Sequence, residues 1–206
     1  MQALIEIQQF CALTSYSTVY HKMRDYTLAR DAQSVDNLWI LQHFPVFTQG
    51  QAGKAEHILD PGNIPVVQSD RGGQVTYHGP GQLVLYAMCD LKRLGWSISA
   101  FTQHLQQSVI TMLNQFGIPA ELQPDAPGVY VQNAKICSLG LRVRKGCTYH
   151  GLSLNVNMDL SPFQRINPCG FHQLKMTQMH DFVPNISVPE VADALLPIFT
   201  APWRHA

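Results

Sequence analysis

Apolar residues spaced three and four positions apart predict two long helices and one shorter helix. The first helix covers 15–31, and the second begins after Ser97 or Ser99 and ends at Gly117, a residue type that often ends helices. The third covers 189–195 and has proline at its first position, where proline is accepted. The apolar stripe of the second helix consists of Phe101, Leu105, Val109, Met112, Leu113 and Phe116.

Runs rich in β-branched and aromatic residues, bounded by turn residues, predict strands. Besides a brief extended piece at 64–67, the predicted strands are 3–10, 38–41, 74–78, 82–88, 128–132, 135–144 and 149–158. Lys145 and Gly146 form the turn between the last two. Two long helices among these strands favour an α+β fold, or α/β sandwich, built on a largely antiparallel sheet. We expect one domain over 1–206.

Composition narrows the class of protein. The chain has 206 residues, of which 46% are hydrophobic and 14% charged, and its formal net charge is zero. This length can bury a sizeable core. Without runs of lysine or arginine, we expect no nucleic-acid partner and no membrane partner. The N-terminus lacks the pattern of a signal peptide, and no apolar segment approaches membrane-spanning length. We therefore expect a cytoplasmic protein.

The cysteines lack the spacing of a disulfide framework or a zinc site. Their number is odd, no pair has C-x-x-C spacing, and the histidines are scattered, so we expect no metal. Cys89 and Cys137 lie in apolar runs and are predicted to be core residues. Cys169 differs, because Pro168 and Gly170 place it on a shaped loop, where functional groups concentrate.

Lys135 opens the predicted strand 135–144. Regular alternation would place it on one face with Cys137, Leu139, Leu141 and Val143. If that face is the core side, desolvation lowers the pKa of the amine from about 10.4 toward neutrality. The alternative is a lysine that keeps its amine in water at the strand end. A thiol beside a buried lysine would suit acyl transfer through a thioester, because the ammonium favours the thiolate and the neutral amine can move protons.

Two segments combine glycines with polar residues, whereas nucleophile-elbow, Walker and dinucleotide motifs are absent from the sequence. The first segment covers 70–82, where Arg71 offers a cationic fork and Gly72 and Gly73 allow a ligand to approach the backbone. An ordinary hairpin with an exposed turn is the alternative interpretation. The second segment covers 135–157 and includes the strand that begins at Lys135.

Four motifs in these regions resemble a known family. RGGQVTYHGPGQL, KICSLGLRVRKG, HGLSLNVNMDL and FQRINPCG, in this order, resemble the lipoyl(octanoyl) transferases of lipoate biosynthesis, which have the biotin/lipoate protein ligase fold. The likeness covers nearly the whole chain. It implies a cofactor-independent acyltransferase that takes an octanoyl or lipoyl group from acyl carrier protein. The acceptors it implies are lysines of lipoyl domains, in the E2 subunits of 2-oxoacid dehydrogenases and in the glycine cleavage H protein.

The resemblance also implies roles for individual residues. The nucleophile of the family falls on Cys169 and its basic partner on Lys135. The substrate-binding stretches fall on Arg71, Gly72, Gly73, Gln74, Val75, Thr76, Tyr77, His78, Ser138, Leu139, Gly140, Gly151, Leu152 and Ser153. Ser153 departs from the alanine that the family commonly has, which affects only the fine shape of the pocket because both residues are small.

Three other functions compete with this hypothesis. An ATP-dependent lipoate–protein ligase on the same fold would form an acyl-adenylate and need no cysteine. A cysteine hydrolase would let water attack the thioester. A non-catalytic module that binds acyl carrier protein would not depend on Cys169. Cys169 beside Lys135 favours thioester transfer over the ligase. The hydrolase is a more distant alternative, and the density of motifs argues against a module in which Cys169 is dispensable.

Overall fold

The described strands form two sheets, and the predicted sandwich on a mostly antiparallel sheet is confirmed. The computed structural model describes residues 5–124, 126–168 and 174–204. The strands are β1 (Ile5–Gln9), β2 (Asp36–Leu41), β3 (Val46–Gln49), β4 (Val66–Gln68), β5 (Val75–His78), β6 (Gln82–Met88), β7 (Glu121–Gln123), β8 (Ala126–Val131), β9 (Ala134–Arg144) and β10 (Cys147–Asn155). The helices are α1 (Tyr16–Ala29), α2 (Leu91–Leu94), α3 (Ile98–Gln115) and α4 (Val188–Phe199).

The larger sheet has seven strands in the order β1-β2-β6-β10-β9-β8-β7, and the smaller has three in the order β4-β3-β5. Among the described strands of the larger sheet only β1 and β2 pair in parallel, and among those of the smaller sheet only β3 and β4 do so. The central strands β6 and β10 are buried on both faces. Residues on these two strands can therefore line an interior site.

Helices cover both faces of the larger sheet. Helices α3 and α4 pack on one face, where Phe101 and Leu105 join a large apolar cluster with Leu85. Helix α1 packs on the other face and brings Tyr16 and Met23 against the aromatic residues of β2 and β6. The two faces are buried by different kinds of side chain.

Local sequence signals explain where the long helices begin and end. The Ser97 hydroxyl accepts a hydrogen bond from the backbone N–H of Ala100 at 3.1 Å, so Ser97 is the N-cap of α3. Gly117 follows the helix with a φ of +71°, which confirms the predicted end. Lys145 and Gly146 also have positive φ, as a tight two-residue hairpin turn requires.

Two short strands and one short α-helix were missed by the apolar pattern. Strands β3 and β7 and helix α2 contain only three or four residues each, too few for a periodicity to be recognised. Strand β3 matters most, because it pairs with both β4 and β5 and thereby organises the smaller sheet. No helix in the described ranges is long and apolar enough to cross a membrane.

Candidate active site

A narrow cavity of about 50 Å³ lies where β5 approaches the central strands β6, β9 and β10. Most of the residues predicted to bind substrate line it, although they come from three separate stretches of the sequence. Those that line it are Arg71, Gly73, Gln74, Val75, Thr76, His78, Ser138, Leu139, Gly140, Gly151, Leu152 and Ser153. The fold therefore assembles the predicted stretches around one space.

Two of the predicted binding residues lie outside this wall. The Tyr77 ring packs against Phe47 and Phe163 in a separate apolar cluster. The backbone N–H of Gly72 donates to the carbonyl of Leu141 at 3.0 Å, which fastens the glycine loop to β9. Both residues hold neighbouring segments in position.

The cavity has an inner end and an outer rim. The inner end is formed by the lining residues that are at most 4% exposed, among them Val84, Tyr86 and His150. Ser138 and Gly140, on β9, are only partly buried and lie at the rim. The cavity therefore opens along β9 and closes against β6 and α1.

Arg71 fixes the loop beside the rim. Its Nε donates to the Thr48 hydroxyl at 3.1 Å, and its Nη2 donates to the Gln74 carbonyl at 2.7 Å. Its Nη1 donates to the Gly72 carbonyl at 2.9 Å. Arg71 is 8% exposed, so it joins β3 to the glycine loop from inside the protein. The predicted cationic fork is present, and its hydrogen bonds to Thr48, Gly72 and Gln74 go to protein atoms.

A hydrogen-bonded chain runs from the cavity wall toward Lys135. His78 Nδ1 lies 2.8 Å from Gln82 Oε1, and Gln82 Nε2 donates to Asn155 Oδ1 at 3.0 Å. Asn155 Nδ2 then donates to the carbonyl of Thr177 at 3.0 Å, and the Thr177 N–H donates to the Lys135 carbonyl at 3.0 Å. Burial lowers the pKa of His78 well below its usual value, so the chain is built from neutral groups.

The Lys135 side chain is buried, which rules out the alternative with its amine in water. It is 1% exposed, and Nζ donates to the carbonyl of Pro127 at 2.9 Å. The same Nζ lies 5.3 Å from the centre of the Tyr130 ring. Residues 175–177 cover the backbone, because the Lys135 N–H donates to the Lys175 carbonyl at 2.8 Å. The lysine is held on several sides.

The predicted alternation around Lys135 is wrong, because β9 contains a bulge. Tyr130 pairs with Lys135 but Val129 pairs with Cys137, so Ile136 is an extra residue in β9. Ile136 and Cys137 both pack in the apolar cluster under α3. Lys135 is thereby separated from the face of Cys137 and shares the face of the Tyr130 ring instead.

Gly128 makes room for the lysine. It has a φ of +146°, and a Cβ there would lie 2.8 Å from Lys135 Cε and 2.8 Å from the Cys137 carbonyl oxygen. Any side chain at this position would press on the stem of Lys135. Gly128 is therefore a steric requirement of the buried amine.

Two of the thiols lie in the core, as the sequence predicts. Cys89 and Cys137 are fully buried, which confirms them as core residues, and burial raises the pKa of Cys137 to about 12. Burial likewise raises the pKa of Cys89 well above its usual value. Both thiols are poor nucleophiles. Cys169 lies outside the described residues.

A second cavity, of about 580 Å³, borders the segment around Lys135. Its wall includes Ala134, which precedes Lys135, and Met176, which faces Lys135 across a parallel bridge. Pro168, the residue before Cys169 in the sequence, lines the same cavity. Sequence-distant segments that flank the two predicted catalytic residues thus converge here.

Asp70 joins the side chains of Tyr149 and His150 on β10, of which His150 lines the first cavity. His150 Nε2 lies 2.9 Å from Asp70 Oδ1, and the Tyr149 hydroxyl donates to Asp70 Oδ2. Burial alone would raise the pKa of Asp70, but hydrogen bonds from His150, Tyr149 and Tyr20 outweigh it and bring the pKa to about 2. The carboxylate is therefore charged at neutral pH and can only accept hydrogen bonds.

Several cavity residues were missed by sequence reasoning. Tyr16, Val84, Tyr86 and His150 lie in ordinary apolar or strand patterns, and only the fold brings them together. The HG pair in HGLSLNVN was the available signal for His150. Within the part of the chain that the structure describes, no cluster of three His, Cys, Asp or Glu could hold a metal ion.

Comparison with known proteins identifies relatives over nearly the whole chain. The profile of the lipoyl protein ligase A/B catalytic domain matches residues 18–200. An octanoyltransferase of Legionella pneumophila (strain Lens) is 52% identical over 192 residues, which cover 93% of this chain and 96% of that protein. An octanoyltransferase of Hahella chejuensis is 55% identical over 199 residues, covering 97% of this chain and 88% of that one.

Solved structures of lower identity share the fold. Lipoate-protein ligase A bound with ATP matches 96% of this chain and 85% of its own, with 18% identity and a TM-score of 0.75. The biotin protein ligase of Aquifex aeolicus matches 95% of this chain and 67% of its own, with 13% identity and a TM-score of 0.58. The expected fold is confirmed by both.

Proposed function

The chain belongs to the family of lipoyl protein ligase A/B catalytic domains and is an octanoyltransferase of protein lipoylation, and we propose that it acts through a thioester on Cys169. The donor we propose is octanoyl-acyl carrier protein. The acceptor is a lysine of a lipoyl domain, in the E2 subunits of 2-oxoacid dehydrogenases or the glycine cleavage H protein. The reaction needs no cofactor, because the donor thioester is already activated.

The buried amine of Lys135 is the observation that carries this proposal. A lysine taken out of water needs a reason, since burial disfavours its charged form. Gly128, the bulge at Ile136 and the 175–177 segment all shape its surroundings. Pro168 lines a cavity with residues of that same segment. Cys169 follows Pro168 in the sequence, so this arrangement supports a contact between Cys169 and Lys135.

Two half-reactions follow from a cysteine and a lysine in this role. In the first, Lys135 takes the thiol proton, the Cys169 sulfur attacks the octanoyl carbonyl, and the carrier thiol leaves with a proton returned by Lys135. In the second, the amine of the acceptor lysine attacks the octanoyl-Cys169 carbonyl and gives a proton to Lys135. The bond between the carbonyl carbon and the Cys169 sulfur then breaks, Lys135 returns the proton to that sulfur, and an amide replaces the thioester.

The first cavity is where we place the octanoyl chain, and its walls must part to admit eight carbons, since its volume is only about 50 Å³. Its rim lies on β9 at Ser138 and Gly140, a few residues from Lys135, and its inner wall includes Val84 and Leu152. An acyl group attached near Lys135 could therefore extend its chain inward. Pockets for such ligands are mostly apolar with a few polar groups, as this cavity is.

Intact-mass measurement tests the thioester. After incubation with octanoyl-acyl carrier protein, we expect one octanoyl adduct on the wild-type protein, removable by hydroxylamine. The Cys169→Ala variant should carry none, whereas the Cys147→Ala control should be labelled like wild type. An adduct that persists in Cys169→Ala would overturn the assignment of the nucleophile.

Lys135→Arg separates charge from proton transfer. Arginine keeps a positive charge but is not deprotonated in proteins, so we expect transfer to fall by about a hundredfold or more. Normal turnover by this variant would exclude general acid/base work at this position.

A nucleotide test distinguishes the transferase from an ATP-dependent ligase. We expect a lipoyl domain to be modified from octanoyl-acyl carrier protein without ATP, and not from free octanoate with ATP and magnesium. Modification only in the second mixture would favour the ligase. Release of free octanoate without modification would favour a hydrolase, and unreacted donor bound by the protein would favour a binding module.

A further inference from the structure

His150 has a backbone conformation that its strand does not require. It lies within β10, yet its φ is +62°. The other non-glycine residues with positive φ in the described ranges, Gln132, Asn133, Lys145 and Asn185, all lie in turns. A left-handed residue other than glycine is disfavoured, and such residues cluster where function constrains the backbone.

This conformation turns the ring of His150 toward α1. Regular alternation along β10 would place it with Leu152 and Leu154, which pack under α3 and α4. Instead the ring stacks on Tyr20 at 5.6 Å and meets the edge of Tyr86 at 6.1 Å, both on the opposite side of the sheet. The conformation thus places an imidazole in the wall of the first cavity.

The hydrogen bonds of His150 define which nitrogen carries the proton. Asp70 is a charged carboxylate that only accepts, so the Nε2 beside it is the protonated nitrogen. Burial lowers the pKa of His150, so the second nitrogen carries no proton and is an acceptor. That atom, Nδ1, is buried and has no hydrogen-bond partner among the described residues.

We propose that His150 reads the distal part of the acyl chain: its Nδ1 accepts a hydrogen bond from a hydroxyl or thiol on that chain. The proposal rests on the proposed function, because the chain must enter at the rim and end near His150. The residue is 1% exposed and lies with Val84 and Tyr86 at the inner end, so a chain that enters at the rim would bring its distal part closest to it. Medium-chain acyl groups with such a donor are the ligand class.

The physical basis is the cost of an unsatisfied polar atom. A methyl group placed against Nδ1 leaves its lone pair without a partner, whereas a hydroxyl or thiol supplies one. If the wall were apolar instead, the polar group of the ligand would be the one left unsatisfied. The two arrangements therefore predict opposite preferences between chains that differ only in this group.

Matched acyl chains on acyl carrier protein test the proposal with the wild-type enzyme. Octanoyl groups with a hydroxyl at carbon 6, 7 or 8 are each compared with the chain that has a methyl at the same carbon. We expect at least one hydroxylated chain to be transferred with a kcat/KM equal to or above that of its methyl counterpart. A lower kcat/KM for every hydroxylated chain would overturn the proposal.

The variant His150→Gln identifies the acceptor. Glutamine can place its amide where Nε2 lies, beside Asp70, but it has no acceptor at the position of Nδ1, whereas asparagine would keep its Oδ1 there. We expect the ratio of kcat/KM between the favoured hydroxylated chain and its methyl counterpart to fall by about tenfold, as for one unsatisfied buried group. An unchanged ratio in a folded variant would overturn the role of His150.

The control is His104→Gln. His104 is a partly buried histidine of α3 that contacts Trp96 and, on α4, Phe199, away from the cavity. Its substitution should leave the ratio of kcat/KM values unchanged. An equal fall in this control would mean that the ratio responds to a general loss of packing and not to His150. If plain octanoyl transfer is absent in the wild type, the proposed function fails and this inference with it. If octanoyl is transferred but substitution of His150 leaves the ratio of kcat/KM values unchanged, only the inference fails.

Discussion

The two faces of the seven-stranded sheet are buried by different chemistry. Under α3 and α4, the cluster around Leu85 and Phe101 is apolar. Under α1, the buried residues include His43, His78 and His150, together with the hydroxyls of several tyrosines. Strand β6 serves both faces, because its successive side chains point in opposite directions.

The difference shows how this fold separates stability from function. An apolar face gains from burial without needing partners, whereas every polar group on the other face needs a hydrogen bond. His43 has one to the Tyr86 hydroxyl at 2.8 Å, and His78 has one to Gln82. His150 Nδ1 has none within the described ranges. The face with the cavity is thus the one where a ligand can complete the network.

The comparison also separates two kinds of buried charge. Asp36, the fully buried first residue of β2, is bound by Arg30, Arg93 and the indole N–H of Trp203 at 2.5 to 2.9 Å. Asp70, which reaches the cavity wall through His150, stays partly exposed. The Asp36 carboxylate is enclosed by hydrogen-bond donors of the protein. The Asp70 carboxylate contacts His150, which lines the first cavity.

Neighbouring residues of β6 give the sharpest test of the two faces. Leu85 and Val84 are both fully buried, but Leu85 packs under α3 and Val84 lines the cavity. We expect Leu85→Ala to lower the free energy of unfolding by about 3–4 kcal/mol, through lost burial and the void it leaves. Val84→Ala should lower it by about 2 kcal/mol, since fewer atoms are removed.

The two substitutions should affect chain-length selectivity in the opposite order. Val84→Ala lengthens the space at the inner end, so the ratio of decanoyl to octanoyl transfer should rise, while folded Leu85→Ala keeps the wild-type ratio. Denaturant unfolding and kcat/KM for both donors measure the two effects. The functional division between the faces would be contradicted if Leu85→Ala changed the chain-length ratio as much as Val84→Ala.

Acid should destabilise the polar face through its buried histidines. Burial lowers the pKa of His43 from 6.5 to about 4, so the unfolded state takes up a proton first as the pH falls. The contribution of His43 is complete above pH 6.5 and is lost as the pH falls to about 4. The loss is about 3 kcal/mol, and His78 and His150 act in the same direction.

His43→Gln tests this pH dependence. The variant does not titrate at this position, so between pH 6.5 and 4 its free energy of unfolding should decline by about 3 kcal/mol less than that of wild type. Urea unfolding at several pH values measures the difference. His21→Gln, at an exposed position, should follow wild type. Parallel curves for His43→Gln and wild type would show that His43 is not held neutral.

Gly128→Ala tests whether the buried lysine depends on the space beside it. The new Cβ would lie 2.8 Å from Lys135 Cε at a φ of +146°, so the lysine stem or the strand must shift. We expect a stability loss of about 1–3 kcal/mol and a fall in transfer of about tenfold or more. Gly146→Ala is the control, because it also has positive φ but its Cβ would meet nothing within 4 Å.

The pH dependence of Cys169 alkylation distinguishes a displaced Lys135 from backbone strain at residue 128. If Lys135 assists the thiol, Gly128→Ala should shift the alkylation profile to higher pH, whereas Gly146→Ala should not. Identical profiles in both variants would leave Gly128 with a structural role only.

Much of the fold could be predicted because its signals are local. The stripe from Phe101 to Phe116 and the cap at Ser97 define α3 within a residue or two of its observed bounds, since both depend on near neighbours. The three binding stretches could be predicted because they match motifs of a known family, and the fold brings them together around one cavity. Strand β3 was missed, since four residues between turns show no period.

The remaining features depend on contacts between distant segments. The bulge at Ile136 follows from pairing with β8, so alternation along β9 alone placed Lys135 on the wrong face. The left-handed backbone of His150 goes with partners on α1 and at Asp70, which lie far away in sequence. Arg71 was predicted as a cationic fork, but its bonds to Thr48 required knowing where β3 lies.

The smallest expected effect concerns the hydroxyl that Tyr149 donates to Asp70. Tyr149→Phe removes one hydrogen bond from the carboxylate, so the pKa of Asp70 should rise from about 2 toward 3.8. A carboxyl with a depressed pKa contributes stability above its unfolded pKa and loses it as the pH falls. We therefore expect a loss of about 1 kcal/mol at neutral pH, which disappears below about pH 2.

Tyr130→Phe is the matched control for this prediction. The Tyr130 hydroxyl is buried and has no hydrogen-bond partner in the described part of the chain, so its removal should leave the free energy of unfolding unchanged or raise it. Carboxyl NMR titration of Asp70 and urea unfolding measure the two quantities in each variant. Equal losses for both tyrosines would mean that the hydroxyl of Tyr149 contributes by packing. A loss confined to Tyr149→Phe, together with a raised pKa of Asp70, would show that the single hydrogen bond from Tyr149 to Asp70 stabilises the polar face.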